Sequence, residues 1–519
     1  MTCLSANPSN RWLVLLAVMM AFLPIVLDMT ILHVAVPSLT LALQATGTEV
    51  LWIIDIYPLL MASLLIPMGT LADKVGHRRM LMLGLVIFCA GSVLAAYSTS
   101  AMMLIGARAF MAFGAAMVMP CTLAIVRQTF EDETERATAL GLWGAVASAG
   151  AAVGPLVGGV LLEHFWWGAV FLVNVPVMLV VLPLVYAYLP RRPAMPGAAW
   201  PVGQVLLLIM GIMATVYALK SGFKTGRSVL VSGGCFIFGL SMLVWFVRKQ
   251  LRSADPMLDL SLFSIPAISA GVVMAFVVMG ALSGVELMLA QELQFVLGRT
   301  PLEAGLFMLP LMVGSAIGGP LAGRILRAIG LRWIAVLSLL ISGASLAGLA
   351  LSSLGGGGVM VIALLTALGV ALGIGMTAAS VAIMSNTPVH KAGSAGALEA
   401  TSYDLGSGLG ITAFGIVMAT SYEKSIRLPE GIPASVAETA SRSIGETMIA
   451  AKALASDQAQ QLVAAGQAAF SASHSIVLLS AAALIGVLSL VIGFVLRSRP
   501  AAQAALGATG VTTAENRND

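Results

Sequence analysis

Apolar runs long enough to cross a bilayer recur along this chain from end to end, separated by short polar breaks. Residues 12–37 hold only two ionisable side chains, Asp28 and His33, and a bilayer-spanning helix needs ~20 mostly apolar residues. Soluble domains carry about 25% charged residues. Here the figure is 10%, with 59% hydrophobic residues among 519 and a mean hydropathy of +0.99. The sequence therefore predicts an all-α, multi-pass membrane protein. Fourteen spans are expected, at roughly 12–36, 50–71, 79–98, 101–125, 137–162, 165–189, 201–220, 229–247, 267–290, 302–324, 332–352, 358–384, 392–420 and 474–496. The first run follows Arg11 with no small-residue cleavage site, so it is read as a retained signal-anchor helix. Cys3, Cys89, Cys121 and Cys235 have no metal or redox spacing and are read as packing residues.

Most of the Lys and Arg fall on alternate breaks, as in Lys74/Arg78/Arg79, Arg191/Arg192, Arg248/Lys249/Arg252 and Arg324/Arg327/Arg332. Positive charge favours the cytoplasm, which predicts both termini inside. Lys220, Lys224 and Arg227 then belong to an outer loop. The long break 421–473 also lies outside, and its Ala-, Glu- and Gln-rich sequence is read as two short amphipathic helices or as an unstructured loop. The tail after Pro500 is small and polar and reads as disordered.

Few acids lie inside spans: Asp28, Asp55, Glu286, Glu399 and Asp404. A charge in the bilayer costs about 2.5–3.5 kcal/mol on insertion scales, so these should face a partner or a wet cavity. Asp28 lies about 13 Å, and Arg108 about 10 Å, below the same face by helical rise. They can form a switching ion pair or a static one that ties helices together. Asp55 reads as a shallow acceptor for a cation or proton, or as a helix cap. Asp404, among Gly406, Gly408 and Gly410, is deep. Glu399 is nearer the cytoplasm and reads as an inner gate or second proton site. Glu286 lies near the outer end of its span. Trp52, Tyr57, Trp143, Phe113, Tyr403 and the methionines can supply a soft wall for organic cations or serve as interfacial anchors.

Two passages look duplicated. GTLADKVGHRR (69–79) and GPLAGRILRAIGLR (319–332) each place Gly and Leu-Ala at a helix end before a basic cluster round a second Gly. Internal duplication is the plan of secondary transporters. Together with RAFMAFGAAMVMP (108–120), GAVASAGAAVGPLVGG (144–159), LDMTILHVAVP (27–37), LWIIDIY (51–57) and SAGALEATSYDLG (394–406), these passages resemble the fourteen-helix drug:proton antiporters of the Qac type within the major facilitator superfamily. Among these, the chain looks closest to the methyl viologen and cationic-antiseptic exporters. The likeness runs from about residue 12 to about 420.

That resemblance implies a fold of two six-helix halves plus two inserted helices. The divisions are 1–190, a linker with the inserted pair at 191–266, 267–498, and a cytoplasmic tail at 499–519. It implies proton coupling through Asp28, Arg108, Asp404 and Glu399, and substrate contacts from Asp28, Asp55, Trp52, Tyr57, Trp143, Tyr403, Asp404 and Glu286. Gating and packing fall to Gly69, Asp73, Gly76, Arg78, Arg79, Gly150, Gly154, Pro155, Gly158 and Gly159. Asp73 can meet the positive end of a neighbouring helix, and Arg78 and Arg79 can pair with acids on the facing half. The chain departs from the pattern in three places: Ser315 stands where these pumps often have an acid, Ala400 follows Glu399 where they tend to have paired acids, and Glu286 is an additional acid.

The expected activity is proton-driven export of lipophilic cations from a bacterial inner membrane by a monomer. No cofactor and no nucleic-acid partner are expected. A proton-coupled transporter of a metabolite or other small solute is the alternative. A membrane enzyme or receptor finds no nucleotide-binding glycine loop, metal cluster or soluble domain in the sequence to support it.

Overall fold

Polar residues start the helices that the apolar runs continue. Thr46 and Thr300 each accept from the backbone N–H three residues on, while Glu49 and Glu303 reach back to the cap residue's own N–H. Each pair satisfies two donors that a helix start leaves unpaired. Ser100, Asp132 and Ser443 cap three more helices through one side-chain acceptor each. These features come from a computed structural model, which describes residues 8–189, 200–222, 229–253, 256–356, 358–388 and 391–497.

The described helices, in chain order, begin with α1 (Pro8–Leu43), α2 (Gly47–Val75), α3 (His77–Ala96), α4 (Ala101–Thr129) and α5 (Glu133–His164). They continue with α6 (Ala169–Leu172), α7 (Asn174–Tyr188), α8 (Val202–Gly222), α9 (Val229–Arg252), α10 (Pro266–Gln291) and α11 (Pro301–Ala350). The last are α12 (Val359–Met384), α13 (Ala392–Ser425), α14 (Ala434–Ala440), α15 (Ile444–Ala451) and α16 (Ser456–Val495). Among the described residues, thirteen helical stretches are long and apolar enough to cross a membrane, with α6 and α7 acting as one.

The expected spans 302–324 and 332–352 appear as the single fifty-residue α11. Straight, it would run about 75 Å, more than twice a ~30 Å hydrocarbon core. It is interrupted at Gly330, where φ is +77°. Gly76, between α2 and α3, has φ +98°. The last glycine of each duplicated passage thus adopts a backbone conformation that side chains rarely allow, and each lies between two spanning segments.

Two buried clusters divide most of the core. One gathers side chains chiefly from α1 to α7, the other chiefly from α10, α11, α12 and α16. Helices α8 and α9 pack on each other, and α8 also lies on α2 and α13 through a small apolar cluster that includes Leu59, Ile212 and Val216. The last apolar helix begins at Ser456, well before the expected 474, because its Ala- and Gln-rich entry forms helix readily without being apolar. Two short helices, α14 and α15, occupy the 421–473 break before it. The tail after Pro500, Cys3, Arg191, Arg192, Lys224 and Arg227 lie outside the described residues.

Helix α5 forms a seam with both α1 and α11. Here small residues let backbones approach. A methyl group on Gly159 would stand 2.7 Å from Leu302 Cα, and one on Gly305 would stand 2.7 Å from the Pro155 carbonyl oxygen. On the α1 side, Gly154 faces Thr30 and Gly158 faces Ile31, while Gly150 lies against Val26 and Leu23.

Candidate transport site

Helices α1, α2, α4 and α13 bring four polar side chains together inside the bundle. Arg108 Nη1 donates to Asp28 Oδ2 at 2.8 Å, and both residues are 1% exposed. The guanidinium lies over the Tyr57 ring, 4.8 Å from its centroid, and 5.8 Å from that of Phe171. Tyr57 is within electrostatic reach of both Asp28 and Asp404. Its hydroxyl, Asp28 Oδ1 and Asp404 Oδ2 have no hydrogen-bond partner among the described residues. A buried polar atom left unpaired is costly.

Glu399 is one helical turn and a residue before Asp404 on α13. Five residues turn the helix by about 140°, and Glu399 accepts instead from the Tyr403 hydroxyl at 3.3 Å. That hydroxyl also donates to the Met376 carbonyl of α12 at 3.0 Å. Glu399 and Tyr403 therefore form a local pair directed towards α12.

Several expected contacts differ in the structure. Asp55 is fully buried and already engaged. Its oxygens lie 2.7 and 2.6 Å from Lys220 Nζ, and the Thr412 hydroxyl donates to it at 2.6 Å. Lys220 is thus no loop residue. It sits in the last turn of α8, 4% exposed, with its ammonium 3.9 Å from the centroid of the Trp52 ring. Glu286 pairs with His33 Nδ1 at 2.8 Å, joining α10 to α1. A second His–acid contact lies in the following π-helical turn, where Glu292 Oε2 is 3.3 Å from His474 Nδ1 of α16.

Arg78 donates to the Tyr186 carbonyl at 2.5 Å and covers its ring. It binds a carbonyl near the end of α7, not an acid on the facing half. Asp73 is exposed and lies 3.4 Å from His77 Nε2. Arg79 is exposed, and Gly69 faces Pro120 at ordinary contact distance. Trp143 stacks on Phe22 and donates to Thr122, while Phe113 is 38% exposed. Neither lines the cavity described next.

That cavity, of about 590 Å³, opens under α15 between α1, α2, α10, α13 and α16. Met288, Phe295, Met418, Tyr422 and Phe470 give it soft and aromatic walls, Lys220 reaches it from the side, and Glu438, Arg442 and Glu446 line its rim. Arg442 holds Glu438 at 2.6 Å. On another surface, Lys391 at the start of α13 pairs with Asp259 at 2.6 Å. Ionic hydrogen bonds from Lys391 and Ser261 hold the Asp259 carboxyl below the usual carboxylate range.

Lys220, Thr412 and the two His–acid pairs were not assigned from sequence. A lysine directly after the apolar run VLLLIMGIMATVYAL was the available signal for the first, and His33 within its span was the signal for another.

A bundle of apolar helices with buried, partly unpaired acids fits a membrane transporter. The sequence profile of the Major Facilitator Superfamily matches residues 18–411, and the chain belongs to that family. It is similar to the methyl viologen resistance protein SmvA of Salmonella typhimurium, at 44% identity over 92% of this chain and 96% of that one. It is 34% identical to the multidrug efflux pump LfrA of Mycolicibacterium smegmatis, over 94% of this chain and 99% of that one. In fold it resembles the crystal structure of a bacterial homologue of the human lysosomal transporter Spinster, with TM-score 0.67, 17% identity, and 94% and 98% of the two chains covered.

Proposed function

We propose that this chain exports lipophilic organic cations of the quaternary ammonium, biguanide, viologen or dye type in exchange for protons. The observation that carries this reading is Asp404, buried, with Oδ2 unpaired, beside a Tyr57 that also feels Asp28. Asp28 has an internal counter-charge in Arg108; Asp404 Oδ2 has no hydrogen-bond donor. A carboxylate in an apolar site must bind either a proton or a cation to be neutral, so the two compete for Asp404. Proton binding from outside expels the cation, and proton loss inside allows loading. Exchange of one proton for one monocation moves no net charge, so the pH gradient drives it, at about 1.4 kcal/mol per tenfold difference in proton concentration; each further proton moving down 100 mV adds about 2.3 kcal/mol. The names of the relatives, methyl viologen resistance and multidrug efflux, support an exporter of such molecules.

In this reading the protein is a monomer in the bacterial inner membrane, with both termini cytoplasmic and α14–α15 outside. Residues 1–190 and 267–498 form the two halves, and α8–α9 are the inserted pair. The gradient supplies all the energy, and no cofactor takes part. Growth of a sensitive bacterial host expressing the chain, challenged with methyl viologen and with mono- and dicationic antiseptics, tests it. The expected result is protection that a protonophore removes; protection unaffected by the protonophore contradicts proton coupling, and none against any cation contradicts cation export.

A further inference from the structure

Lys220 occupies a site built like a receptor for an organic cation. Asp55 offers both carboxylate oxygens, at 2.7 and 2.6 Å from the ammonium. Trp52 offers a ring face at 3.9 Å, and the Thr412 hydroxyl fixes the carboxylate from behind at 2.6 Å. A desolvated carboxylate and an aromatic face are the elements by which proteins bind ammonium ligands. Three of these residues belong to α2 and α13, whereas the lysine comes from α8, whose half nearer Lys220 packs through a small separate cluster with Ile212 and Val216. Lys220 also lines the 590 Å³ cavity with Val50 and Leu51, so a molecule in that cavity can meet the site.

We infer that Lys220 is a tethered competitor: its ammonium fills the Asp55–Trp52 cage when no cation is bound, and a transported cation takes the cage by displacing it. This inference rests on the cation-export reading and deepens it by giving the cation a second station, at Asp55, apart from the Asp404 carboxylate where it competes with the proton. The lysine neutralises Asp55 in the empty transporter, so the site never stands as a buried bare charge. Its return on the α8 arm helps eject the cation after the transporter opens. The cage thereby favours cations whose charge is spread over an aromatic or hydrophobic body. Such cations gain more from Trp52 and the cavity wall than a strongly hydrated ammonium does.

A lysine that holds the cage about nine-tenths of the time weakens a competing cation about tenfold. Tetraphenylphosphonium binding to the purified full chain is to be measured by equilibrium dialysis. In parallel, the wild-type protein is treated with a water-soluble amine-reactive reagent, and labelling of Lys220 is read by peptide mass spectrometry with and without the cation. The expected results are a severalfold rise in Lys220 labelling on saturation and about tenfold tighter binding by Lys220→Met. The double variant Asp55→Asn/Lys220→Met should lose that gain. The labelling arm uses wild-type protein, so a Lys220→Met chain that fails to fold leaves the inference decidable. Tetraphenylphosphonium binding to wild type with unchanged Lys220 labelling overturns the inference and makes the lysine a static tie, while the export reading stands. Binding to neither protein overturns the export reading and the inference with it.

Discussion

Arg108 and Asp28 meet at 2.8 Å across 80 positions of sequence, both buried, with one nitrogen and one oxygen of the pair left unpaired. A pair so placed stands or falls together. Removing one partner of a buried ion pair costs about 3–5 kcal/mol, whereas removing both is often nearly neutral. Arg108→Ala is therefore expected to unfold at markedly lower temperature in detergent. Asp28→Asn/Arg108→Gln is expected to recover most of that loss while remaining inactive in export. Thermal unfolding and dye efflux, measured on the same variants, check both halves. Full efflux by the double variant contradicts a working role for the pair.

The His33–Glu286 contact at 2.8 Å joins α1 to α10, which predicts a structural role for Glu286. Glu286→Gln keeps a hydrogen-bonding group at that place. Its expected cost is about 1–3 kcal/mol in stability, with efflux retained within about threefold, a ΔΔG of under 1 kcal/mol. Efflux assays and unfolding curves on this variant measure the two effects. An inactive but stably folded variant would move Glu286 into the transport machinery.

At the seam, Gly159→Ala sets a methyl group 2.7 Å from Leu302 Cα. Backbone cannot yield as a flexible side chain does, so α5 and α11 must separate. Expected consequences are a faster passive proton leak in proteoliposomes and reduced net export. Gly141→Ala on the same helix meets nothing within 4 Å and serves as control. Equal leak rates for the two variants contradict a sealing role.

The Asp259–Lys391 pair predicts a pH dependence outside the bundle. Asp259 has a lowered folded pKa, so its contribution is present above the unfolded value of about 3.9 and is lost as pH falls through the folded value. Both side chains are partly exposed, which limits the effect to less than about 1 kcal/mol. Asp259→Asn should lower the unfolding temperature slightly at pH 7, and the deficit should shrink as pH falls below about 3.9. A deficit as large at pH 3 as at pH 7 contradicts the ionic origin.

The pairing of Asp28 with Arg108 was readable because helical rise converts sequence distance from a helix end into depth. The turn glycines Gly76 and Gly330 were readable as a repeat. Lys220 was not, because a lysine at the end of an apolar run is equally consistent with a loop. Only the packing of α8 on α2 and α13 turns its side chain inward to Asp55. Arg78 shows the same limit: the sequence marks a basic cluster at a helix end, but its acceptor, the Tyr186 carbonyl, depends on where α7 stops. The early start of α16 at Ser456 escaped notice because helix propensity, not apolarity, extends it.

Asp404 is the central claim, and its test is direct. Everted membrane vesicles expressing the chain hold a pH gradient, and adding a transported cation should release protons through the exchanger, reported by a pH-sensitive dye. Wild type is expected to release protons on addition of cation. Asp404→Asn, confirmed folded and present at the same level, is expected to release none. Proton release by Asp404→Asn at the wild-type rate contradicts the assignment of Asp404 as the site where proton and cation compete.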